Sequence, residues 1–544
     1  GLAEDVKYYG EWMREKAWER IGHLYPQVDL PSEYGGGKAT VIAWIWARTV
    51  PSPDPAFSDV QVPIASSFLL SAKKGKEAWV EPVVNRQGKS IGYRIRYQGT
   101  KEEIAKSKGG TKAGRGANFF CLISETAITP DYVKRMGREG KMSQTLIAVV
   151  AAGDRSRAYV APTKAHEEVA LSAEPEWEPD TKLPNDPRNF WTVDYGLTTF
   201  GDLFTDRQLV ALNTFSELVH EVSAQIESDA LAAGVSDDPS TLRAGGSGGR
   251  AYGEAIGLYL GLCIGRMANR SSSLNFWDQK GENVQQVFAR QALPMTWDFV
   301  EGNPFSTSTG NFMGQVGYLV RSVEALPASA VGIEKQEDAR DVEYRPHAVL
   351  STDPPYYDNI GYADLSDYFY VWLRPALRKI YPEITSVIST PKSNELVASP
   401  YGHGGRESAE AYFLNGMREV MKNAASGISK DYPAAIYYAF KASEFNSEGL
   451  FSPGWATFIQ AVIEAGFSVN GTWPVRSEYT GNLKKNVNAL ANSVVLVCRK
   501  KEDSAETVTR AEFIRALKRE LPPAIAELQA ANVSPADMPQ SAIG

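Results

Sequence analysis

The sequence predicts an α/β protein: half of a doubly wound sheet, joined to a β-rich segment and an α-rich one. Three observations carry this. After Tyr344, strand and helix patterns alternate, with "HAVLST", "DLSDYFYVWLRPALRKI", "SAEAYFLNGMREVMKNAAS", "AAIYYAFK", "GWATFIQAVIEAG", "SVNGTWPVR" and "NSVVLVCRK" in succession. Between Lys38 and Pro162, short β-branched and aromatic runs are punctuated by Gly and Lys. From Phe204 to Arg270, apolar residues recur at helical spacing.

The chain has 544 residues, 43% hydrophobic and 22% charged, enough to bury a large core in two to four domains. Cys121, Cys263 and Cys498 are too few and too scattered for a disulfide framework, which favours a reducing compartment, by default the cytoplasm. The best apolar run, "AIGLYLGLCIG" from Ala255, falls short of the roughly 18 residues that span a bilayer, so no membrane partner is expected. A net charge of -8 gives no global attraction to nucleic acid. One stretch runs the other way. Between Ser71 and Gly116 the twelve Lys and Arg from Lys73 to Arg115 face only Glu77, Glu81, Glu102 and Glu103. It reads either as a solvated hairpin region or as a phosphate-contacting surface, with Lys106, Lys108, Lys112 and Arg115 as its candidate DNA contacts.

In chain order, "GLAEDVKYYGEWMREKAWERIGHLYP" lacks an initiator Met and already places Val6, Trp12, Met13, Ala17 and Ile21 at helical spacing, so the chain is expected to start inside a longer protein. "KATVIAWIWARTV", "WVEPVVN", "IGYRIRYQG" and "QTLIAVVAAG" are strands of an accessory domain, which with the first helix occupies 1–165. "SAEPEWEPDTKLPNDPRN" from Ser172 has the composition of a linker and sets a boundary. An α-rich domain follows over 190–343. Its "AGGSGG" from Ala244 has a helix after it but no strand before it, and "YGGGKATV" from Tyr34 has the reverse defect, so both read as loops, not nucleotide cradles.

The α/β part occupies 344–501 and a helical tail 502–544. "HAVLST" is a strand ending at Asp353; the helix after it puts Leu365, Phe369, Trp372, Leu373 and Ala376 on one face, with Pro375 able to kink it. Ser408 is the expected N-cap of the next helix. In such sheets ligands gather at the carboxyl ends of strands, where Asp353-Pro354-Pro355-Tyr356 falls. An adenine amino group is a poor nucleophile because its lone pair is delocalised into the ring. Methyl transfer to it therefore needs acceptors for both N–H bonds. The Asp353 carboxylate supplies one. The Pro354 carbonyl, held by a Pro-Pro peptide that has no N–H at either proline, supplies the second. Tyr356 offers a flat face for a base flipped out of the duplex. The structural alternative is a Pro-Pro turn packed with aromatics.

"STDPPYYDNIGYADLSDYFYVWL", "PYGHGG", "YYAFK", "GTWPVRSE" and "NALANSVVLVCRK" resemble the adenine-specific DNA methylases that carry a zinc ribbon, a family linked to phage-defence loci. The similarity extends to "GEWMREKAWERIGHLYP", "LFTDRQLVALNTFSELV" and "TWDFVEGNPFS". The resemblance implies a Rossmann-like methyltransferase sheet, S-adenosyl-L-methionine as cofactor, and double-stranded DNA as partner. It also implies other defence-system subunits, or a separate chain supplying the cofactor loop. Two departures stand out. The family's Phe-x-Gly-x-Gly cofactor loop has no counterpart after a strand in this chain, so the N-terminal half of the sheet is expected to be incomplete. The ribbon's two cysteine pairs correspond to Ser52 and Phe57 and to Cys121 and Ser124; one thiol cannot hold zinc, so a metal-free, degenerate ribbon is expected.

Other residues are open to two readings. Asp298 is either an acid that contacts the cofactor's adenine from the end of an adjacent strand or a capping and loop-bonding residue. Arg476 and Glu478 line the substrate cleft or pair on the surface, Lys441 is solvent-facing, and Cys498 is core. Two function classes remain: a DNA adenine methyltransferase, and a non-catalytic DNA-binding or specificity subunit without its own cofactor loop.

Overall fold

The computed structural model describes residues 1–154, 156–326, 331–357, 360–438, 453–475, 493–502, 504–505 and 507–530. Its chain forms two compact units, Gly1–Gly332 with Asp364–Thr390, and Ile333–Ala363 with Pro391–Gly544. The architecture is mixed α/β, built from several small sheets. Among the described residues no helix is long and apolar enough to cross a membrane.

The first unit opens with helix α1, Leu2–Ile21, which buries Val6, Met13, Ala17 and Ile21 of the positions its periodicity marks and leaves Trp12 partly exposed. Its main sheet is antiparallel and centred on β1, Val41–Pro51, an unbroken run of buried β-formers. Strand β2, Gln61–Ile64, pairs with the end of β1. Strands β3, Leu69–Ser71, β4, Ala78–Asn85, and β5, Ser90–Tyr97, make a separate meander, followed by helix α2, Lys101–Lys108, capped by Thr100. Strands β6, Ser143–Ala152, and β7, Arg157–Val160, extend one side of β1. Helix α3, Asp206–Ala232, starts at a capping box of Thr205 and Gln208 and packs against α4, Gly249–Ala268. Strand β8, Asp298–Gly302, then returns to pair with β1 on its other side, and α5, Phe312–Ala325, packs against α1 and α4.

That return corrects the expected boundary near residue 165. A strand from the segment read as α-rich completes the accessory sheet, so the two share one core. The connector read as a linker is folded: buried Asp186 accepts from the Arg188 N–H and from Asn189 Nδ2 at 2.9 and 2.8 Å. Its prolines and acids shape a packed loop. Helix α6, Tyr362–Leu377, contributes most of its length to this unit, burying Leu365, Trp372 and Ala376 of the predicted face while Phe369 and Leu373 are partly exposed.

In the second unit, β9 is only Ser351–Thr352, shorter than "HAVLST" predicts. Helix α7, Arg406–Gly427, starts two residues before the expected Ser408 cap, with Gly405 at its N-cap in a backbone conformation (φ +128°) that suits glycine. Strand β10, Ala434–Tyr438, helix α8, Pro453–Glu464, and the antiparallel strands β11, Phe467–Val475, and β12, Ser493–Lys500, follow where the pattern puts them. The sheet order is β9-β10-β12-β11, with β9 and β10 parallel and β12 antiparallel to both its neighbours. Phe413, Met417 and Met421 of α7 pack with Ile436, Trp455, Phe458 and Leu496 in its core. Cys498 belongs to that core, and burial pushes its thiol up to about 12. Helix α9, Arg510–Ala530, follows as the tail pattern predicts.

Candidate active site

β9 leaves the sheet at Asp353 because Pro354 has no N–H to continue the ladder with β10. The chain then reverses in a tight turn. The Tyr357 N–H donates to the Pro355 carbonyl at 3.2 Å, and Tyr357 sits in the left-handed region at φ +48°. A bulky residue is strained there. Two contacts hold it: its ring meets Phe413 edge-on at 5.3 Å, and its carbonyl accepts the Ala398 N–H at 3.0 Å.

The turn presents Asp353, an exposed residue, to a cleft of about 570 Å³. Thr352, Asp353, Pro354 and Pro355 form one wall; Leu396, Met417, Val420 and Met421 form an apolar one; Glu337, Asp338, Asn394 and Glu395 supply polar groups. Arg340 grips Asp338 with Nε on Oδ1 at 2.9 Å and Nη2 on Oδ2 at 2.6 Å, which holds that carboxyl below its ordinary range. The Tyr356 hydroxyl donates to Asp353 Oδ1 at 2.6 Å. The Tyr356 ring lies 5.4 Å from that of Tyr438 at a steep angle, and burial first, then the bond to Asp353, push its phenol far above the ordinary range. Among the described residues no donor reaches Asp353 Oδ2 or the Pro354 carbonyl, whereas the Pro355 carbonyl is taken by Tyr357. The site thus offers a carboxylate oxygen and a main-chain carbonyl as acceptors, next to a half-buried tyrosine.

Of the sequence-selected residues that are described, Asp353, Pro354 and Pro355 line this cleft, and Tyr356 stands behind them, bonded to Asp353. Asp298 is elsewhere. It begins β8 in the first unit, where its strand pairs with β1 and not with β9, so it is not on a strand adjacent to Asp353. Its Oδ1 accepts the Ser66 N–H at 2.6 Å, which is the loop-bonding reading. Burial raises its carboxyl to about 6, opposed by the Ser66 bonds and the charge of Lys112. Arg476, Glu478 and Lys441 lie outside the described residues.

The basic stretch forms the meander and α2. Five of its cations are paired with acids: Lys73 with Glu282, Arg86 with Glu125, Lys89 with Asp59, Arg94 with Glu81, and Arg96 with Glu103. Lys106 and Lys108 are exposed on α2 and Arg115 on the following loop. Lys112 is set apart from them: its ammonium lies 4.4 Å from the Phe119 ring centre, bonds the Gly116 carbonyl, and is lowered by burial. Ser52, distant in sequence from Cys121 and Ser124, meets both, with its Oγ 3.3 Å from Cys121 Sγ and 3.5 Å from Ser124 Oγ. Phe57 packs against the same apolar cluster.

Sequence reasoning missed the far wall of the cleft. Leu396 precedes the helix pattern, and Met417, Val420 and Met421 read only as an apolar stripe of α7. Their spacing signals a buried face without saying what it faces. Comparison of the chain with protein-family models, with curated proteins and with solved structures finds no match.

Proposed function

We propose that this chain carries the acceptor side of an S-adenosyl-L-methionine-dependent DNA methyltransferase that acts on the exocyclic amine of a flipped adenine, within a restriction-modification or phage-defence system. The observation that carries the proposal is the pairing of two unclaimed acceptors, Asp353 Oδ2 and the Pro354 carbonyl, at the carboxyl end of a parallel strand and on the wall of a ligand-sized cleft. Two acceptors on one amine hold both N–H bonds and favour a pyramidal nitrogen whose lone pair is available for attack. Tyr356 fixes the carboxylate through Oδ1, and in this reading its ring is the aromatic neighbour of the unstacked base. The strand order adds support, since a parallel pair followed by an antiparallel hairpin is compatible with the half of a doubly wound sheet this reading requires.

The residues present fit the acceptor half of the reaction and not the donor half. The donor would supply an electrophilic methyl group, but both glycine runs lack the strand-loop-helix setting: Gly35 to Gly37 lead into a strand, and Gly245 to Gly249 follow a turn. No residue of this chain is assigned to hold the donor. The same observation favours a second reading, a DNA-binding or specificity subunit.

One experiment separates them. The chain, alone and supplemented with a segment carrying a Phe-x-Gly-x-Gly loop, is given duplex DNA and labelled donor, and the product is read by nucleoside mass spectrometry. The expected product is N6-methyladenine in the supplemented sample, abolished by Asp353→Ala with duplex binding retained. Full activity in Asp353→Ala, or methylation of a cytosine carbon, overturns the proposal. Absence of transfer with intact DNA binding selects the subunit.

A further inference from the structure

The first unit carries a group of cations that, among the described residues, have no counter-ion and that belong to other elements than the basic stretch. Arg266, in the last turn of α4, has its guanidinium carbon 4.6 Å from the centre of the Tyr318 ring, and Arg321, one turn along α5 from Tyr318, lies 4.6 Å from the same ring. The two charges are therefore separated by no more than twice that distance. Tyr318 is 51% exposed. Arg270, four residues past Arg266, is tethered by Nη1 to the Val284 carbonyl at 2.5 Å. Burial lowers its affinity for its proton, and the neighbouring Arg266 charge acts in the same direction. Among the described residues, none of the three arginines forms an ion pair with a carboxylate.

Like charges this close repel, and the fold compensates only partly. The face of the Tyr318 ring attracts both guanidiniums. The carbonyl end of α4 attracts Arg266, which alone would be an ordinary helix-terminal cation. Neither device supplies a counter-charge to Arg270 or Arg321, which come from different segments. Elsewhere in this unit Arg20 has Glu221, Arg138 has Asp194 and Arg243 has Glu383, while Arg14, Arg48 and Arg157 are bonded to neutral acceptors; among the described residues, only at Tyr318 do two arginines share one ring. An anion with several charged oxygens, spread along an open surface, completes what the fold leaves out. Guanidinium planes held by a ring and a carbonyl are pre-organised for phosphate oxygens.

We propose that Arg266, Arg270 and Arg321, arranged around Tyr318, contact the sugar-phosphate backbone of duplex DNA. Arg266 and Arg321 are exposed on neighbouring helices and Arg270 is half-buried just past the end of α4, a spread that matches a polyanion presenting phosphates in series rather than one small ion. The assignment moves the backbone contact from the meander and α2, where acids already neutralise five cations, to α4 and α5. It concerns binding alone, so it stands or falls independently of the methyl-transfer reading.

The test is fluorescence anisotropy with the 544-residue chain and a labelled duplex of about two helical turns, across a salt series. The Arg266→Ala/Arg321→Ala double variant is expected to bind roughly tenfold or more weakly near ~0.1 M salt and to lower the slope of log affinity against log salt by about 2, in every duplex sequence tried. Arg266→Lys/Arg321→Lys keeps the charges and is expected to keep most of the slope. Melting temperatures of all variants separate loss of contact from loss of fold, and Arg321→Gln alone, on an exposed position, is expected to remove about one unit of slope. Unchanged slope and affinity in a folded double-alanine variant overturns the proposal. So does displacement of the duplex by excess inorganic phosphate at constant ionic strength, which assigns the cluster to a free anion, or tighter binding of duplex RNA of the same length.

Discussion

The Tyr356 hydroxyl donates to Asp353 Oδ1 at 2.6 Å, so the tyrosine of the Asp-Pro-Pro-Tyr element aims the acid that opens it. A carboxylate at the surface turns freely about its χ angles. With one oxygen pinned, the other has a defined direction toward the cleft. Tyr356→Phe keeps the ring and removes only this bond; a hydrogen bond to a charged group is worth about 1.5–3 kcal/mol, so methyl transfer in the supplemented system should fall roughly 10- to 100-fold. Tyr356→Ala should fall further by the loss of stacking, about 1–3 kcal/mol. Equal rates for Tyr356→Phe and the parent chain would reduce Tyr356 to a stacking surface.

This element was legible because its chemistry is local: two prolines, an acid and an aromatic fix a turn and its acceptors within four residues. The helices were legible for the same reason, each carrying its own period. What was not legible depends on pairing over long sequence distances. β8 joins β1 in register Val300↔Ile45, a contact no local pattern announces, and it both erased the expected boundary and fixed Asp298 in the sheet of the first unit. The Tyr318 cluster likewise needs α4 and α5 side by side before Arg266 and Arg321 share a ring.

The same long-range pairing buries an ion pair. Arg207 donates from Nε and Nη2 to the two oxygens of Glu301 at 2.8 and 2.9 Å, both side chains being 1% exposed, and Trp46 Nε1 donates to the same carboxylate at 3.0 Å. Glu301→Gln leaves a buried guanidinium without its charge partner and should destabilise the first unit by about 3–5 kcal/mol. Replacing both, as Arg207→Met/Glu301→Leu, should cost less than the sum of the single changes. Chemical denaturation of the parent, Arg207→Met, Glu301→Leu and the double variant gives the cycle. An additive result would mean that the pair contributes no coupling.

Asp298 sets a pH dependence. Its carboxyl titrates at about 6 in the folded chain, chiefly from burial, against about 3.9 when unfolded. Between these values the folded state holds the extra proton, so stability falls as pH rises from about 4 to 6 and stays lowered above. Asp298→Asn keeps an acceptor for the Ser66 N–H and removes the charge. Relative to the parent chain it should gain about 1–2 kcal/mol on going from pH 4 to pH 7. Melting curves at both pH values measure it, and a constant difference would show that the carboxyl does not titrate in that window.

Ser52, Cys121 and Ser124 meet at the positions that the ribbon resemblance assigns to metal ligands, with Phe57 in the apolar cluster beside them. Hydroxyls and a single thiol are poor zinc ligands at neutral pH because only the thiol deprotonates readily, whereas a structural zinc site uses four thiolate or imidazole donors. Cys121 is packed with Val50, Val62, Phe119 and Ile123 in one buried cluster. The parent chain should contain no stoichiometric zinc by elemental analysis, and a chelator should leave its melting temperature unchanged. Ser52→Cys/Phe57→Cys/Ser124→Cys restores four thiols with Cys121. If the segment follows the ribbon, this variant should take up one zinc per chain and lose melting temperature on chelation. Near one zinc in the parent chain would refute the first expectation; none in the triple variant, with the fold intact, would refute the assignment of these positions to a ribbon.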